Sequence, residues 1–176
     1  MALLWAAVAL YAASTVLFVA TAVFHLRERW TDRAFVLATV GLAPHGISIL
    51  LRWIEVGHGP YISFYEVASS DTWVAVSLYC FVAWRYSRLR LAGMAVLPVS
   101  FLLIGAAVFA PREGRELLPV LRSYWLVLHV TFAKLAYGPY LLGLGAAVLY
   151  LRGGTGSALS GRAQRLNDPA VLDELS

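Results

Sequence analysis

YWLVLHVTFAKLAYGPYLLGLGAAVLYL, residues 124–151, is an apolar run of about 28 residues, and a helix crosses a bilayer with roughly 20. His129 stands near its start and Lys134 a little over a turn further on. An ionisable side chain inside a membrane span is costly, so each marks a position where a function or a partner is to be sought. Four more apolar runs precede this one, at about 3–24, 34–54, 72–86 and 91–110. With 60% hydrophobic residues, 14% charged residues and a mean hydropathy of +0.72, the chain is too apolar for a soluble domain. The expected fold is therefore all-α: a polytopic membrane protein of five transmembrane helices, residues 1–151, followed by a tail over 152–176.

Charge distribution orients the bundle. Arg27, Arg29 and Arg33 follow the first run, Arg85, Arg88 and Arg90 the third, and Arg152, Arg162 and Arg165 the fifth. The connection after the second run has only Arg52 at its edge; in the connection after the fourth, Arg112, Arg115 and Arg122 are offset by Glu113 and Glu116. Lys and Arg concentrate on the cytoplasmic side of short loops, so the N-terminus is expected outside and the tail in the cytoplasm. The first run lacks a basic leader and a small-residue cleavage site, and is read as a retained helix. The net charge of +4 comes from these short loops and does not suggest a nucleic-acid surface. Cys80 is the one cysteine, which excludes an internal disulfide and a paired-cysteine redox site.

His45 sits between Pro44 and Gly46, about 11 residues into the second span, roughly 16 Å deep in a ~30 Å core. Pro and Gly there are expected to loosen the helix and open room beside the imidazole. It is either a polar tie to a neighbouring helix or a ligand. His129 lies roughly 7 Å below the outer surface, either a ligand or a member of an aromatic belt with Tyr124 and Trp125. Lys134 is expected to snorkel or to pair inside the bundle. The segment EVGHGPYISFYEVASSD, residues 55–71, reads as an outside-facing loop. Its turns come from Gly57, Gly59 and Pro60 around His58, and its anchors are Tyr61, Phe64, Tyr65 and the nearby Trp73, with Glu66 as the acid among the aromatics. Neutral imidazoles ligate haem iron; at different depths, His45 and His129 fit two successive sites better than two faces of one haem.

Two stretches carry a resemblance. PHGISILLRWIEVGHGPYISFYEVASSDTW, residues 44–73, resembles the CcsA/ResC family of cytochrome c assembly proteins, with its pattern of a span holding a His, then RW, G-[RH]-x-P and N-x-Y-E. LPVLRSYWLVLHVTFAKLAYGPYLLGLGAAVLYL, residues 118–151, is similar to that family's S-x-W-L-x-x-H-V followed by a span, and LNDPAVLDELS, residues 166–176, to the segment before its next span. The resemblance implies handling of haem b at the cell's inner membrane and its presentation at the outer face for attachment to apocytochrome c. It implies His45 as a transmembrane ligand, His129 as an external one, and His58, Tyr65, Glu66 and Trp73 as shaping the outer loop. It also implies a CcsB/ResB-like membrane partner. Ser63 departs from the family's usual Asn. The family's tryptophan-rich motif and second external histidine would follow residue 176, so the sequence is expected to be the N-terminal portion of a longer protein or a truncated gene product. On that expectation it holds haem weakly and has no ligase activity of its own. A HemX-like regulatory protein and a small-molecule transporter are the competing readings; a transporter would usually show paired repeats.

Overall fold

Five apolar stretches, too long for their backbone groups to stay unpaired in hydrocarbon, must each close their hydrogen bonds within a helix. The computed structural model describes residues 1–25, 27–111 and 123–166, with side chains described as far as Leu151. Its helices are α1 (Ala2–Phe24), α2 (Glu28–Val56), α3 (Phe64–Arg85), α4 (Gly93–Phe109) and α5 (Tyr124–Leu166), with a 3-10 segment, Ser87–Ala92, leading into α4. Among the described residues five helical segments are long and apolar enough to cross a membrane, and the protein is an all-α polytopic membrane protein.

Element bounds differ from the hydropathy reading in three places. The second helix starts at Glu28, since ERWTDR is polar but continues the helix on the membrane's edge. α5 continues past residue 151 to Leu166, because hydropathy marks where the bilayer stops and not where the helix does. The largest difference is α3. It begins at Phe64 and not near residue 72, which leaves a connection of only residues 57–63 and puts Tyr65 and Glu66 on a helix instead of in a loop. The cause is a capping box. Ser63 Oγ accepts from Glu66 N (3.2 Å), and Glu66 Oε2 accepts from Ser63 N (3.3 Å), so the first turn forms despite its polar sequence.

α1 and α2 pack along each other, α3 lies against α2, α4 and α5, and α4 closes the core against α1. Tyr11 and Phe18 of α1, Ala34 and Ala38 of α2, Val76 and Tyr79 of α3, and Leu97 and Ile104 of α4 are fully buried there. The most apolar part of α3 is 50% buried and that of α5 only 11%, so α3 is the inner helix and α5 a peripheral one. The N-terminus, the 57–63 connection and the start of α5 share one end of the bundle, here termed the loop end. Exposed Trp5, Trp53, Tyr124 and Trp125 ring that end, and Trp84 and Tyr86 the other, as expected of side chains at headgroup depth. The arginines around the α1–α2 turn and the 3-10 segment gather at the opposite end, where Arg90 pairs with Asp32 at 2.6 Å.

Among the described residues, Lys134 makes the polar contacts that tie α5 to α3. Lys134 Nζ lies 2.7 Å from Asp71 Oδ1 and donates to Ser70 Oγ at 2.7 Å, with side-chain exposures of 12% and 13% for the ion pair. Lys134 thus pairs inside the bundle, as its place in a span requires. Removing one partner strands the other charge, so Asp71→Ala is expected to cost about 3–5 kcal/mol. The double variant Asp71→Ala/Lys134→Met should recover much of that loss in reversible unfolding from detergent micelles; equal instability of single and double variants would show that the pair does not fasten α5.

Candidate functional site

His45 lies 11 residues before the end of α2, about 16 Å from Val56 along the axis. Its helix is continuous through Pro44. The imidazole is fully buried between α1 and α3, and both nitrogens are occupied: Nδ1 is 3.3 Å from Tyr11 Oη and Nε2 is 3.0 Å from Ser69 Oγ. Tyr11 and His45 also meet edge-on, with ring centroids 5.7 Å apart. Gly41, one turn before His45, is what lets Tyr11 in, since a Cβ there would stand 2.7 Å from Tyr11 Cε1.

Gly46 does not open space beside the imidazole. Its bare face receives Trp73, whose Nε1 would lie 3.0 Å from a Cβ at that position and donates to Leu42 O at 3.0 Å. Trp73 is therefore a tie between α3 and the middle of α2. With Trp53 and Pro60 it lines an apolar cleft of about 310 Å³ that reaches Lys134.

At the loop end Glu66 is buried and gathers the connection onto the bundle. Its Oε2 accepts from Ile62 N and Ser63 N at 3.3 Å, and Oε1 lies 3.5 Å from Arg52 Nε of α2. His58, with a side chain 9% exposed, donates from Nδ1 to Gly59 O at 2.9 Å and lies 3.9 Å from the same carboxylate. Tyr65 is buried beside Arg52 and Glu66, where the three line a cavity of about 10 Å³ together with Ser69. His45, Glu66, His58 and Tyr65 thus form one polar column along α3.

His129 stands apart from that column. It is exposed on the first turns of α5 and has no hydrogen bond or ion pair among the described residues. Five residues separate it from Lys134, a rotation of about 140° on a helix of 3.6 residues per turn, so it faces away from α3. An open imidazole at the rim suits an axial iron ligand, which needs a free nitrogen and space for a porphyrin. His45 as placed offers neither. Among the described residues no three His, Cys, Asp or Glu side chains gather as donors for a free metal ion.

Tyr11, Ser69, Arg52 and Asp71 are the partners that sequence reasoning missed. Only Asp71 left a signal, as an acid at the edge of the third predicted span, complementary to Lys134 inside the fifth.

Residues 61–173 match the cytochrome c assembly protein family. The chain belongs to this family. The matched region includes Tyr65, Glu66, Trp73 and His129 and begins beyond His45 and His58. The chain is also similar to cytochrome c biogenesis protein CcsA of Gloeobacter violaceus, 29% identical over 80% of the chain and 44% of the relative. With CcsA of Cyanophora paradoxa it shares 30% identity over 81% of the chain and 45% of the relative. With that of Prochlorococcus marinus it shares 37% over 54% and 31%. The chain thus spans less than half the length of these curated relatives. No solved structure matches.

The Glu66 contacts give a direct test. Glu66→Ala leaves the Ser63 cap but removes the carboxylate half of the capping box, the acceptor for two loop amides; leaving those amides without a partner is expected to cost about 1–3 kcal/mol and to speed hydrogen exchange at Ile62 and Ser63. Glu66→Gln, which can still accept from Ser63 N, should keep the loop protected; equal exchange in both variants would show that the side chain does not hold it.

Proposed function

We propose that this chain acts in cytochrome c biogenesis, holding haem b at the membrane and presenting it at the loop end for covalent attachment to apocytochrome c. The observation that carries this reading is His129: an exposed imidazole on an apolar helix, without a hydrogen-bond or ion-pair partner among the described residues, within the segment that matches the cytochrome c assembly family. When bound, haem supplies the iron that an imidazole can ligate and the porphyrin that is handed on. His129 would hold the iron from the α5 side. Glu66, His58 and Tyr65 would keep the 57–63 connection folded beside it. His45 ranks second as a ligand, since it must give up Tyr11 or Ser69 before a nitrogen is free.

The arginines gathered opposite the loop end favour placing the loop end outside the cell's inner membrane and the arginines in the cytoplasm. A membrane partner of the CcsB/ResB kind, named by the resemblance alone, would complete the assembly. One exposed histidine supplies one axial ligand, so the chain by itself is expected to hold haem weakly and to lack ligase activity.

Haem content and the absorption spectrum of the protein purified from haem-replete bacterial membranes test the reading. The parent chain should carry haem below one per polypeptide; His129→Ala should lose most of it, with partial recovery in free imidazole. His45→Ala should lower the content to a smaller extent. Wild-type haem content and spectrum in His129→Ala would remove His129 as a ligand. A parent chain without haem would favour a HemX-like regulatory role.

A further inference from the structure

At the end of the bundle opposite the loop end, the first turns of α2 and the 3-10 segment Ser87–Ala92 face each other across an open cleft of about 470 Å³. Glu28, Thr31 and Asp32 share one face of α2 and form one wall, and Ser87, Arg88 and Arg90 form the other. Arg90 joins the walls. Its Nη1 donates to Asp32 Oδ1 at 2.6 Å, its guanidinium lies over the Phe35 ring, and its carbonyl accepts from Tyr79 Oη at 2.7 Å. That settles one cation on one anion. Glu28 and Arg88 remain, both exposed, and neither has a hydrogen-bond or ion-pair partner among the described residues. The nearby Arg33 and Arg85 are turned onto the rings of Trp30 and Tyr86. The cleft thus offers an open anion on one wall and an open cation on the other, each with a hydroxyl close by, Thr31 a turn after Glu28 and Ser87 beside Arg88. The apolar runs of α2 and α4 start just past Asp32 and Arg90, at Ala34 and Leu91, and Phe24, Trp84 and Tyr86 are exposed at this same end. The cleft therefore lies at headgroup level, where aromatic side chains collect.

We propose that this cleft binds the headgroup of a membrane phospholipid that carries both a phosphate and a primary ammonium, of the phosphatidylethanolamine type. The phosphate accepts from the Arg88 guanidinium, whose planar fork of donors suits two phosphate oxygens, and from the Ser87 hydroxyl. The ammonium has three N–H donors and gives them to the Glu28 carboxylate and the Thr31 hydroxyl. The balance of charge selects this class of headgroup. Two carboxylates stand against two guanidiniums, so the cleft is neutral as a whole. A headgroup with only a negative charge would meet Glu28 as a like charge, which costs affinity. A choline headgroup keeps the positive charge but has no N–H to give. Free phosphoethanolamine has the right charges, but a lipid is held at this depth by its tails, which the soluble molecule lacks. The site is at the far end of the bundle from His129 and the 57–63 connection, and it stands whether or not the chain holds haem.

Native mass spectrometry of the full chain in detergent micelles, titrated with one phospholipid at a time, tests the site. Phosphatidylethanolamine should bind as a single tight equivalent, roughly tenfold tighter than phosphatidylglycerol or phosphatidylcholine with the same acyl chains, which is about the worth of one charge-assisted hydrogen bond. Arg88→Gln and Glu28→Gln should each weaken that equivalent by roughly tenfold. Glu28→Gln should also erase the preference over phosphatidylglycerol, since it removes the like charge. Both side chains are exposed, so both variants should unfold at the parent temperature. Equal binding of all these lipids by the parent chain, or parent-like phosphatidylethanolamine binding in both variants, would overturn the site. Tighter binding of phosphatidylglycerol, lost in Arg88→Gln and kept in Glu28→Gln, would show only a general attraction of arginines for anionic lipid and would overturn the headgroup assignment. Free phosphoethanolamine binding as tightly as the lipid would overturn the membrane as its source.

Discussion

In hydrocarbon a polar side chain has no water to bond with, so each one inside a membrane bundle must find its partner on another helix or on its own backbone. Here those partners converge on little more than one turn of α3. Ser69 reaches His45 of α2 and through it Tyr11 of α1; Ser70 and Asp71 take Lys134 of α5; Trp73 bonds Leu42 O of α2. The apolar contacts around this turn exclude lipid but give little direction, because lipid tails are as apolar as the side chains they replace. The hydrogen bonds give the direction. They fix which face of α3 meets which neighbour, and hence where His45 sits relative to Glu66.

The same turn divides the candidate site into two parts with different chemistry. Toward the loop end, Glu66 holds the connection, His58 and Arg52 in a buried polar cluster. Toward the membrane centre, His45 is closed in by Tyr11 and Ser69. His129 belongs to neither part: it is carried by a helix that α3 grips at Lys134, about one and a half turns further along α5. Binding of a large planar cargo fits the open rim better than the closed centre.

A capped helix start at Phe64 was open to view in the sequence, since Ser63 and Glu66 have the spacing of a capping box. Hydropathy hid it, because YEVASSD is polar and a polar stretch between two apolar runs reads as a loop. Those polar residues are the ones that face other helices, which is why an inner membrane helix carries them at all. Lys134 shows the other limit. A lysine within a span must pair or snorkel, and that much follows from its place in the chain, but Asp71 becomes its partner only once α3 and α5 lie side by side.

The sequence alone determined that there are five apolar spans, that arginines gather at alternate connections and that His45, His129 and Lys134 lie within spans. Each follows from local composition and from the fixed rise of a helix. It also carried the family resemblance, in motifs that lie along continuous stretches. Only the tertiary structure decided that His45 is satisfied, that Gly46 makes room for Trp73 rather than for the imidazole, and that His129 faces away from α3. These depend on how each helix is rotated about its own axis. That rotation is set by contacts between residues such as Tyr11 and His45, or Asp71 and Lys134, which lie tens of residues apart in the chain.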